Sequence, residues 1–231
     1  MSIADNLLKY KNELANNGVK LVAVSKNHPA DAVIEAYNAG QRVFGENLVQ
    51  EMVDKQAQLP GDIEWHLIGH LQSNKVKYIA PFVKLIESVD SLKLLKEINK
   101  QALKNNRVID CLLQIYIADE ETKFGLGFDE AIELLRDEEF TTFKNIRIVG
   151  LMGIASNNAL EGQTKAEFQE LKVLFDGIKL SFFRKEDSFR EISMGMSGDY
   201  KLAIEQGSTM VRIGSNIFGK RIIKHWKTEK E

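Results

Sequence analysis

The chain has 231 residues, of which 44% are hydrophobic and 28% are charged, so it is long enough to bury one well-packed core. Its formal net charge of −2 and its pI near 6.2 argue against a nucleic-acid-binding protein, whose basic surface would raise both values. The first residues lack the features of a signal or transit peptide, and no apolar run is long enough to span a membrane. We therefore expect a soluble, cytoplasmic protein that binds neither nucleic acid nor a membrane.

The single cysteine, Cys111, lies within an apolar run at residues 109–115. One cysteine cannot form an internal disulfide, so the composition favours a reducing compartment. A free cysteine usually packs as a small hydrophobic residue, and we predict that Cys111 belongs to the core.

Short apolar segments alternate with longer amphipathic ones along the whole chain. Eight segments are predicted to be strands: residues 21–25, 42–44, 63–67, 83–86, 108–116, 146–151, 191–194 and 210–213. Apolar residues at helical spacing lie between them, as with Phe168, Leu171 and Phe175, and a further helix over residues 3–16 precedes the first strand. Only three prolines and no Ser/Gly-rich stretch interrupt the pattern, so we expect one domain over residues 1–231.

The alternation of strands and helices decides the fold class. Eight strand–helix units in one domain favour a closed parallel (β/α)8 barrel, or TIM barrel, here with an extra N-terminal helix. The alternative is an open, doubly wound α/β sheet, which usually has a glycine-rich phosphate turn after its first strand. Here the segment Ser-Lys-Asn-His-Pro at residues 25–29 occupies that place. The sequence therefore predicts the α/β barrel.

Lys26 is the first candidate for chemistry. In a barrel of this kind the functional groups lie where strands end and the following loops begin, and Lys26 directly follows the first predicted strand. A lysine held against apolar walls or near another cation has a lowered pKa, and its neutral amine can attack an aldehyde. Position alone nevertheless favours an ordinary solvated lysine.

Two loops rich in glycine and serine follow the seventh and eighth predicted strands, in the segments SMGMSGD at 193–199 and VRIGSNIFG at 211–219. Barrels often build a phosphate site from these two loops, using backbone N–H groups and hydroxyls. The residues that could contact an anion here are Gly195, Ser197, Gly198, Gly214 and Ser215. Each loop alone could be an ordinary turn, but two such loops from the expected strands favour phosphate binding.

Asn47 has two possible roles. It could cap a predicted helix over residues 48–58, with Gln50 completing a capping box, or it could contact a ligand at the barrel mouth. The sequence favours the structural role, which is compatible with a ligand contact.

His66 and His70 have a spacing that could ligate a metal on a helix. The surrounding segment WHLIGH is more typical of a strand end followed by a loop. No cluster of carboxylates or cysteines in the sequence completes such a site, so we predict no metal centre.

Several segments resemble the pyridoxal phosphate homeostasis proteins, which are single-domain relatives of the alanine racemase N-terminal barrel. They cover most of the chain in the family's order, and the longest are too specific to match by chance. The matching segments are AVSKNHP at 23–29, FGENLVQE at 44–51, WHLIGHLQSNK at 65–75, ADEETKFGL at 118–126, GLMGI at 150–154, SMGMSGD at 193–199 and GSTMVRIGSNIFG at 207–219.

The resemblance implies a fold-type III barrel in which Lys26 carries pyridoxal 5'-phosphate as a Schiff base. It also implies that the two C-terminal loops hold the phosphate, that Asn47 lies beside the ring and that Arg212 faces the pyridine nitrogen. The cofactor-binding residues expected on this basis are Lys26, Asn47, Ser197, Gly198, Arg212, Gly214 and Ser215. Tyr116 and Ala155 stand where the family more often has Asn and Pro.

The function implied by the resemblance is storage of the cofactor more than catalysis. An arginine opposite the ring nitrogen disfavours a protonated pyridinium, and an unprotonated ring is a poorer electron sink. The racemase relatives also need a second domain and a partner subunit to complete their site, and this sequence ends soon after the expected barrel. We therefore expect a monomeric carrier or buffer of pyridoxal phosphate, without robust turnover. It would act in amino- and keto-acid balance, with pyridoxal-phosphate-dependent apoenzymes as candidate partners.

Two alternatives remain open. One is a catalytically active fold-type III enzyme such as an amino-acid racemase, for which Tyr116 and Lys123 are the candidate acid–base residues. The other is a barrel enzyme acting on phosphorylated sugars. It would use the two C-terminal loops but would leave Lys26 unexplained.

Overall fold

A computed structural model describes residues 2–118, 124–157 and 159–220 of the chain. Within these residues, parallel strands pair in chain order and β1 pairs with β8, which closes the sheet into a barrel. The eight strands are β1 (Lys20–Val24), β2 (Val43–Glu46), β3 (Glu64–Leu67), β4 (Leu85–Val89), β5 (Ile109–Tyr116), β6 (Ile146–Ile154), β7 (Glu191–Met196) and β8 (Met210–Ile213). Closure excludes the open, doubly wound sheet, and the predicted (β/α)8 barrel is confirmed.

Helices surround the barrel and connect its strands. Those in the described part of the chain are α1 (Ile3–Ala15), α2 (Ala30–Asn38), α3 (Val49–Gln56), α4 (Val76–Ile79), α5 (Leu92–Lys104), α6 (Phe128–Arg136), α7 (Glu138–Thr141), α8 (Glu161–Phe182), α9 (Tyr200–Glu205) and α10 (Ser215–Phe218), with a 3-10 turn at Ser73–Lys75. The predicted N-terminal helix is α1, which begins at a capping box between Ser2 and Asp5. Its Asn6 side chain donates to the carbonyl of Ile217 over 3.2 Å, which joins α1 to α10.

The apolar residues form two separate clusters. The larger one lies between the barrel wall and the helices and includes Trp65, Phe168 and the predicted core residue Cys111, each almost fully buried. Burial raises the pKa of the Cys111 thiol, which keeps it protonated. The smaller cluster consists of Val22, Leu85, Leu112, Val149, Met152 and Met210. Because side chains alternate along each strand, this second set lies inside the barrel.

The predicted strand positions agree with the structure, while several boundaries differ. The strand predicted at 83–86 is β4, which continues through Glu87 to Val89. The polar residues Glu87 and Ser88 interrupt the apolar run, yet both are fully buried. The prediction ended the strand where hydrophobicity ended, whereas the structure continues it because hydrogen-bonding partners make polar side chains tolerable inside the barrel.

The described ranges contain neither a membrane-spanning helix nor a metal-binding group of side chains. No helix there is long and apolar enough to cross a bilayer. No group of three or more His, Cys, Asp or Glu side chains in those ranges is arranged to hold a metal ion.

Candidate cofactor-binding site

Lys26 lies in a tight turn at the carboxyl end of β1, as predicted. The N–H of His28 donates to the carbonyl of Ser25 over 3.1 Å and closes the turn. Lys26 is half-buried, and Asn27 has a φ of 62°, a left-handed conformation that is uncommon for a residue other than glycine. The backbone that carries Lys26 is therefore held in one defined conformation at the barrel mouth.

The two C-terminal loops predicted to bind phosphate meet in the structure. The N–H of Gly214 donates to Ser197 Oγ over 3.3 Å, and the Asn216 amide donates to the Ser197 carbonyl over 3.1 Å. Ser215 begins α10, so its N–H belongs to the first turn, where helices have no internal acceptor. Gly198 and Ser215 are exposed at the ends of the two loops. Hydroxyls and backbone N–H groups thus converge in a way that suits an anion.

Gly214 also brings this pair of loops against the strand that leads to Lys26. A methyl group at position 214 would lie 3.2 Å from the Val24 carbonyl oxygen, so the backbones of β1 and β8 approach closely here. Val24 is two residues before Lys26, and β1 is hydrogen-bonded to β8. Barrel closure therefore places the lysine turn next to the candidate phosphate loops.

Arg212 lies on β8 at the inner side of the barrel and is almost fully buried. Its Nη1 donates to Ser193 Oγ over 2.6 Å, and its Nη2 donates to the Gly153 carbonyl over 2.9 Å. Ser193 in turn donates to Glu87 Oε2 over 2.6 Å, and His66 Nδ1 lies 2.7 Å from Glu87 Oε1. We refer to Arg212, Ser193, Glu87 and His66 as the inner network.

The contacts of the inner network favour the ionised form of Glu87. Burial alone would raise the pKa of the Glu87 carboxyl, but hydrogen bonds from His66 and Ser193 and the positive charge of Arg212 outweigh it. The pKa of Glu87 therefore lies below its ordinary value, and the group is a carboxylate. Since a carboxylate only accepts hydrogen bonds, His66 carries its hydrogen on Nδ1. Burial lowers the pKa of Arg212, although the nearby carboxylates of Glu87 and Asp199 oppose this effect.

Asn47 lies in the bend between β2 and α3, where it is half-buried. The predicted capping role is wrong, because α3 begins at Val49 and Leu48 occupies the cap position in an extended conformation without a side-chain hydrogen bond. The Gln50 side chain instead donates to Asp54 over 2.9 Å. The backbone of Asn47 packs against Gly69, where a methyl group would lie 2.4 Å from the Asn47 carbonyl oxygen. The ligand-contact role at the mouth stays a prediction.

The two histidines have separate partners. His66 belongs to the inner network. His70 is half-exposed, and its Nδ1 lies 3.2 Å from Asp90 Oδ2. The His70 ring also lies beside the Phe124 ring, with 5.4 Å between their centroids.

Of the candidate acid–base residues, Tyr116 ends β5 and is half-buried. Lys123 and most of the segment at 118–126 lie outside the described residues.

The sequence did not reveal two sets of buried polar residues. Ser193 and Glu87 escaped notice as partners of Arg212, since nothing local links positions 87, 193 and 212. The second set is Ser25, Glu46, Glu51 and Lys55, which we refer to as the turn cluster. The spacing of Glu51 and Lys55 four residues apart on a helix was a possible signal, although such pairs are usually exposed.

The barrel and the site at its mouth have counterparts among known proteins. A family model of the N-terminal domain of alanine racemase matches residues 1–221, so the chain belongs to that class of barrels. The pyridoxal phosphate homeostasis protein of Aquifex aeolicus is 41% identical over 207 residues, covering 89% of this chain and 88% of the relative. That of Schizosaccharomyces pombe is 38% identical over 221 residues, covering 94% and 91%. The chain belongs to the pyridoxal phosphate homeostasis protein family.

Solved structures agree with this assignment. PipY of Synechococcus elongatus, solved with pyridoxal phosphate bound, aligns with a TM-score of 0.85 at 36% identity, covering 94% of this chain and 100% of PipY. An alanine racemase from Bartonella henselae aligns with a TM-score of 0.66 at 17% identity. This chain spans 62% of that racemase, and the likeness shows the fold alone.

Proposed function

We propose that this chain binds pyridoxal 5'-phosphate through Lys26 and acts in its homeostasis as a carrier or buffer. The observation that carries the proposal is the convergence of the Lys26 turn with the loops of Ser197 and Gly214 at one end of the barrel. The names of the relatives and the cofactor bound to PipY support the same ligand.

The groups at the mouth fit the two ends of this cofactor. The neutral amine of Lys26 would attack the aldehyde carbon, forming a C=N bond while the carbonyl oxygen leaves as water. The bound cofactor supplies an electron sink for reactions at an amino-acid Cα. Ser197, Gly198, Gly214 and Ser215 would hold the phosphate through hydroxyls and backbone N–H groups, and Asn47 would lie beside the ring.

Arg212 supports the role of carrier over that of enzyme. In the proposed complex its guanidinium would face the pyridine nitrogen, where a fixed positive charge would disfavour protonation. The inner network holds this side chain by hydrogen bonds to Ser193 and Gly153, so the charge stays in place. An unprotonated ring withdraws electrons weakly, and robust turnover is not expected.

The wider role follows from cofactor binding. Reversible capture of an aldehyde by Lys26 would buffer the free cofactor and make it available to pyridoxal-phosphate-dependent apoenzymes in the cytoplasm. We propose that the chain does this as a monomer, and size-exclusion chromatography with light scattering would test that state.

Visible absorbance of the purified protein, with and without added cofactor, tests the central proposal. Wild type should show the band of a lysine-linked pyridoxal phosphate, and Lys26→Ala should lose it. Lys75→Ala is the matched control, because Lys75 is an exposed lysine that follows β3 on the loop side of the barrel. Absence of the band in wild type, or its survival in Lys26→Ala, would overturn the proposal. Interconversion of L- and D-amino acids well above the rate of free cofactor would favour the racemase instead.

A further inference from the structure

The turn cluster lies beneath the loop that carries Lys26, on the outer side of the barrel wall. Glu46 ends β2, and Glu51 and Lys55 are one helical turn apart on α3; all three are buried. Lys55 Nζ donates to Glu46 Oε1 over 2.6 Å and to Glu51 Oε1 over 2.8 Å. Ser25 Oγ donates to the same oxygen of Glu46 over 2.6 Å. Four polar side chains, from β2, α3 and the residue that follows β1, therefore form one buried unit.

This cluster also grips the backbone on both sides of Lys26. Lys55 Nζ donates to the Ser25 carbonyl over 2.7 Å, and that carbonyl belongs to the peptide group preceding Lys26. Glu51 Oε1 accepts the N–H of Asn27 over 2.7 Å, and that N–H belongs to the peptide group following Lys26. With both peptide groups fixed, the direction in which the Lys26 side chain leaves the backbone is fixed as well.

The cluster also fixes the backbone of Asn27, which follows Lys26. Asn27 has a positive φ, a left-handed conformation that asparagine adopts more readily than most residues other than glycine. The hydrogen bond from its N–H to the Glu51 carboxylate is charge-assisted, which makes it stronger than a bond between neutral groups. Glu51 thus holds the peptide group between Lys26 and Asn27.

Stability alone does not account for three buried ionisable side chains, those of Glu46, Glu51 and Lys55. Well-packed apolar residues in place of a buried ion pair are often neutral or stabilising, because charges lose their hydration on burial. Two carboxylate oxygens, Glu46 Oε2 and Glu51 Oε2, also have no hydrogen-bond partner among the described residues. The clearest effect of the cluster is on the two peptide groups that flank Lys26, which it holds through the Ser25 carbonyl and the Asn27 N–H.

We propose that Lys55, with Glu46 and Glu51, is a positioning residue that aligns Lys26 for covalent capture of the cofactor aldehyde. The proposal rests on the proposed function and assigns the cluster no contact with the ligand. It predicts that damage to the cluster slows bond formation at Lys26 while the phosphate loops still bind. Those loops, at Ser197 and Gly214, share no hydrogen bond with Lys55.

Two phosphorylated probes separate these steps. Pyridoxal 5'-phosphate has the aldehyde and can bond to Lys26, whereas pyridoxine 5'-phosphate keeps the ring and phosphate but has a hydroxymethyl group instead. Stopped-flow absorbance with the first measures the rate of bond formation. Calorimetric titration with pyridoxine 5'-phosphate measures binding of the ring and phosphate without bond formation at Lys26. Borohydride reduction followed by peptide mass analysis locates the lysine that was modified.

Lys55→Met removes the donor and keeps a long apolar stem. We expect the rate of bond formation to fall about tenfold or more, since small misplacements of a reacting group have large effects. The dissociation constant for pyridoxine 5'-phosphate should stay within about twofold of the wild-type value. Lys100→Met, which removes an exposed helical lysine near Glu97, should change neither quantity.

Glu51→Gln is the second variant, because it keeps the shape of the side chain and decides the matter if Lys55→Met does not fold. It weakens the charge-assisted hydrogen bonds to Asn27 and Lys55. We therefore expect the rate of bond formation at Lys26 to fall about threefold, with no change in the dissociation constant for pyridoxine 5'-phosphate. An unchanged rate of bond formation would overturn the positioning role. So would a loss of affinity for pyridoxine 5'-phosphate as large as the loss of rate with pyridoxal 5'-phosphate. Either outcome would leave Lys26 as the attachment site. Loss of the band in wild type, or modification of another lysine, would instead overturn the proposed function.

Discussion

Glu87 in the inner network and Glu46 in the turn cluster are both fully buried, yet their carboxyl groups have opposite pKa shifts. Burial raises the pKa of Glu46 to about 7, although Lys55 opposes the shift. The pKa of Glu87 is lowered, because hydrogen bonds and positive charge outweigh the same effect of burial. Both oxygens of Glu87 have partners, whereas Glu46 Oε2 has none among the described residues. Each carboxyl has two side-chain hydrogen-bond partners, so the neighbouring charges differ instead: Glu51 adds negative charge beside Glu46, whereas Arg212 adds positive charge near Glu87.

The two groups also hold different parts of the site. The inner network fixes a side chain, that of Arg212, whose charge is proposed to act on the cofactor ring. The turn cluster fixes main-chain groups on either side of Lys26 and has no proposed contact with the ligand. Damage to the first should therefore affect stability and ligand binding together, whereas damage to the second should affect mainly the attachment step.

The largest effect is expected from Glu87→Ala. This change leaves the Arg212 guanidinium buried without its facing carboxylate, and breaking a buried pair in this way costs about 3–5 kcal/mol. Glu51→Ala is the comparison, because Lys55 keeps its bond to Glu46, and it should cost about 1–2 kcal/mol. Urea denaturation at neutral pH measures both. Equal losses of unfolding free energy in the two variants would mean that Arg212 depends on Glu87 no more than Lys55 depends on Glu51.

A pH-dependent effect of intermediate size is expected from Glu46. A carboxyl whose folded pKa is raised from 4.5 to about 7 stabilises the fold fully below the lower value, and this contribution is lost as the pH rises through the higher one. The free energy of unfolding of wild type, minus that of Glu46→Gln, should fall by about 3 kcal/mol from pH 4.5 to 7. Denaturation of both proteins across this range measures the difference. A difference that grows with pH would show that Lys55 keeps Glu46 ionised.

The smallest effect is expected from Ser193→Ala, which removes the hydroxyl between Arg212 and Glu87. Hydrogen bonds to charged groups contribute about 1.5–3 kcal/mol, against about 0.5–1.5 kcal/mol for neutral ones. Ser208→Ala is the matched control, since Ser208 is also buried but donates only to backbone carbonyls such as that of Met194. The cost of Ser193→Ala should exceed that of the control in thermal or chemical denaturation. The reverse order would mean that Arg212 and Glu87 move together to replace the lost bond.

Much of the fold was predictable from sequence because it depends on local patterns. All eight strands and the burial of Cys111 follow from runs of apolar residues. Errors occurred where tertiary contacts overrode the local pattern, as in β4, which continues through the buried Glu87. Asn47 was assigned a cap because its residue type suits one, but α3 begins two residues later, beyond an extended Leu48. Local propensity is a weak guide at element boundaries.

By itself, the sequence determined the barrel, the place of Lys26 after the first strand and the two loops that carry Ser197 and Gly214. These features depend on periodicity and on residues a few positions apart. Only the tertiary structure decided that Ser193 joins Arg212 to Glu87, and that Lys55 and Glu51 hold the peptide groups of Lys26. The physical reason is that a buried polar group needs a partner within hydrogen-bond distance, and barrel closure supplies partners that are remote along the chain.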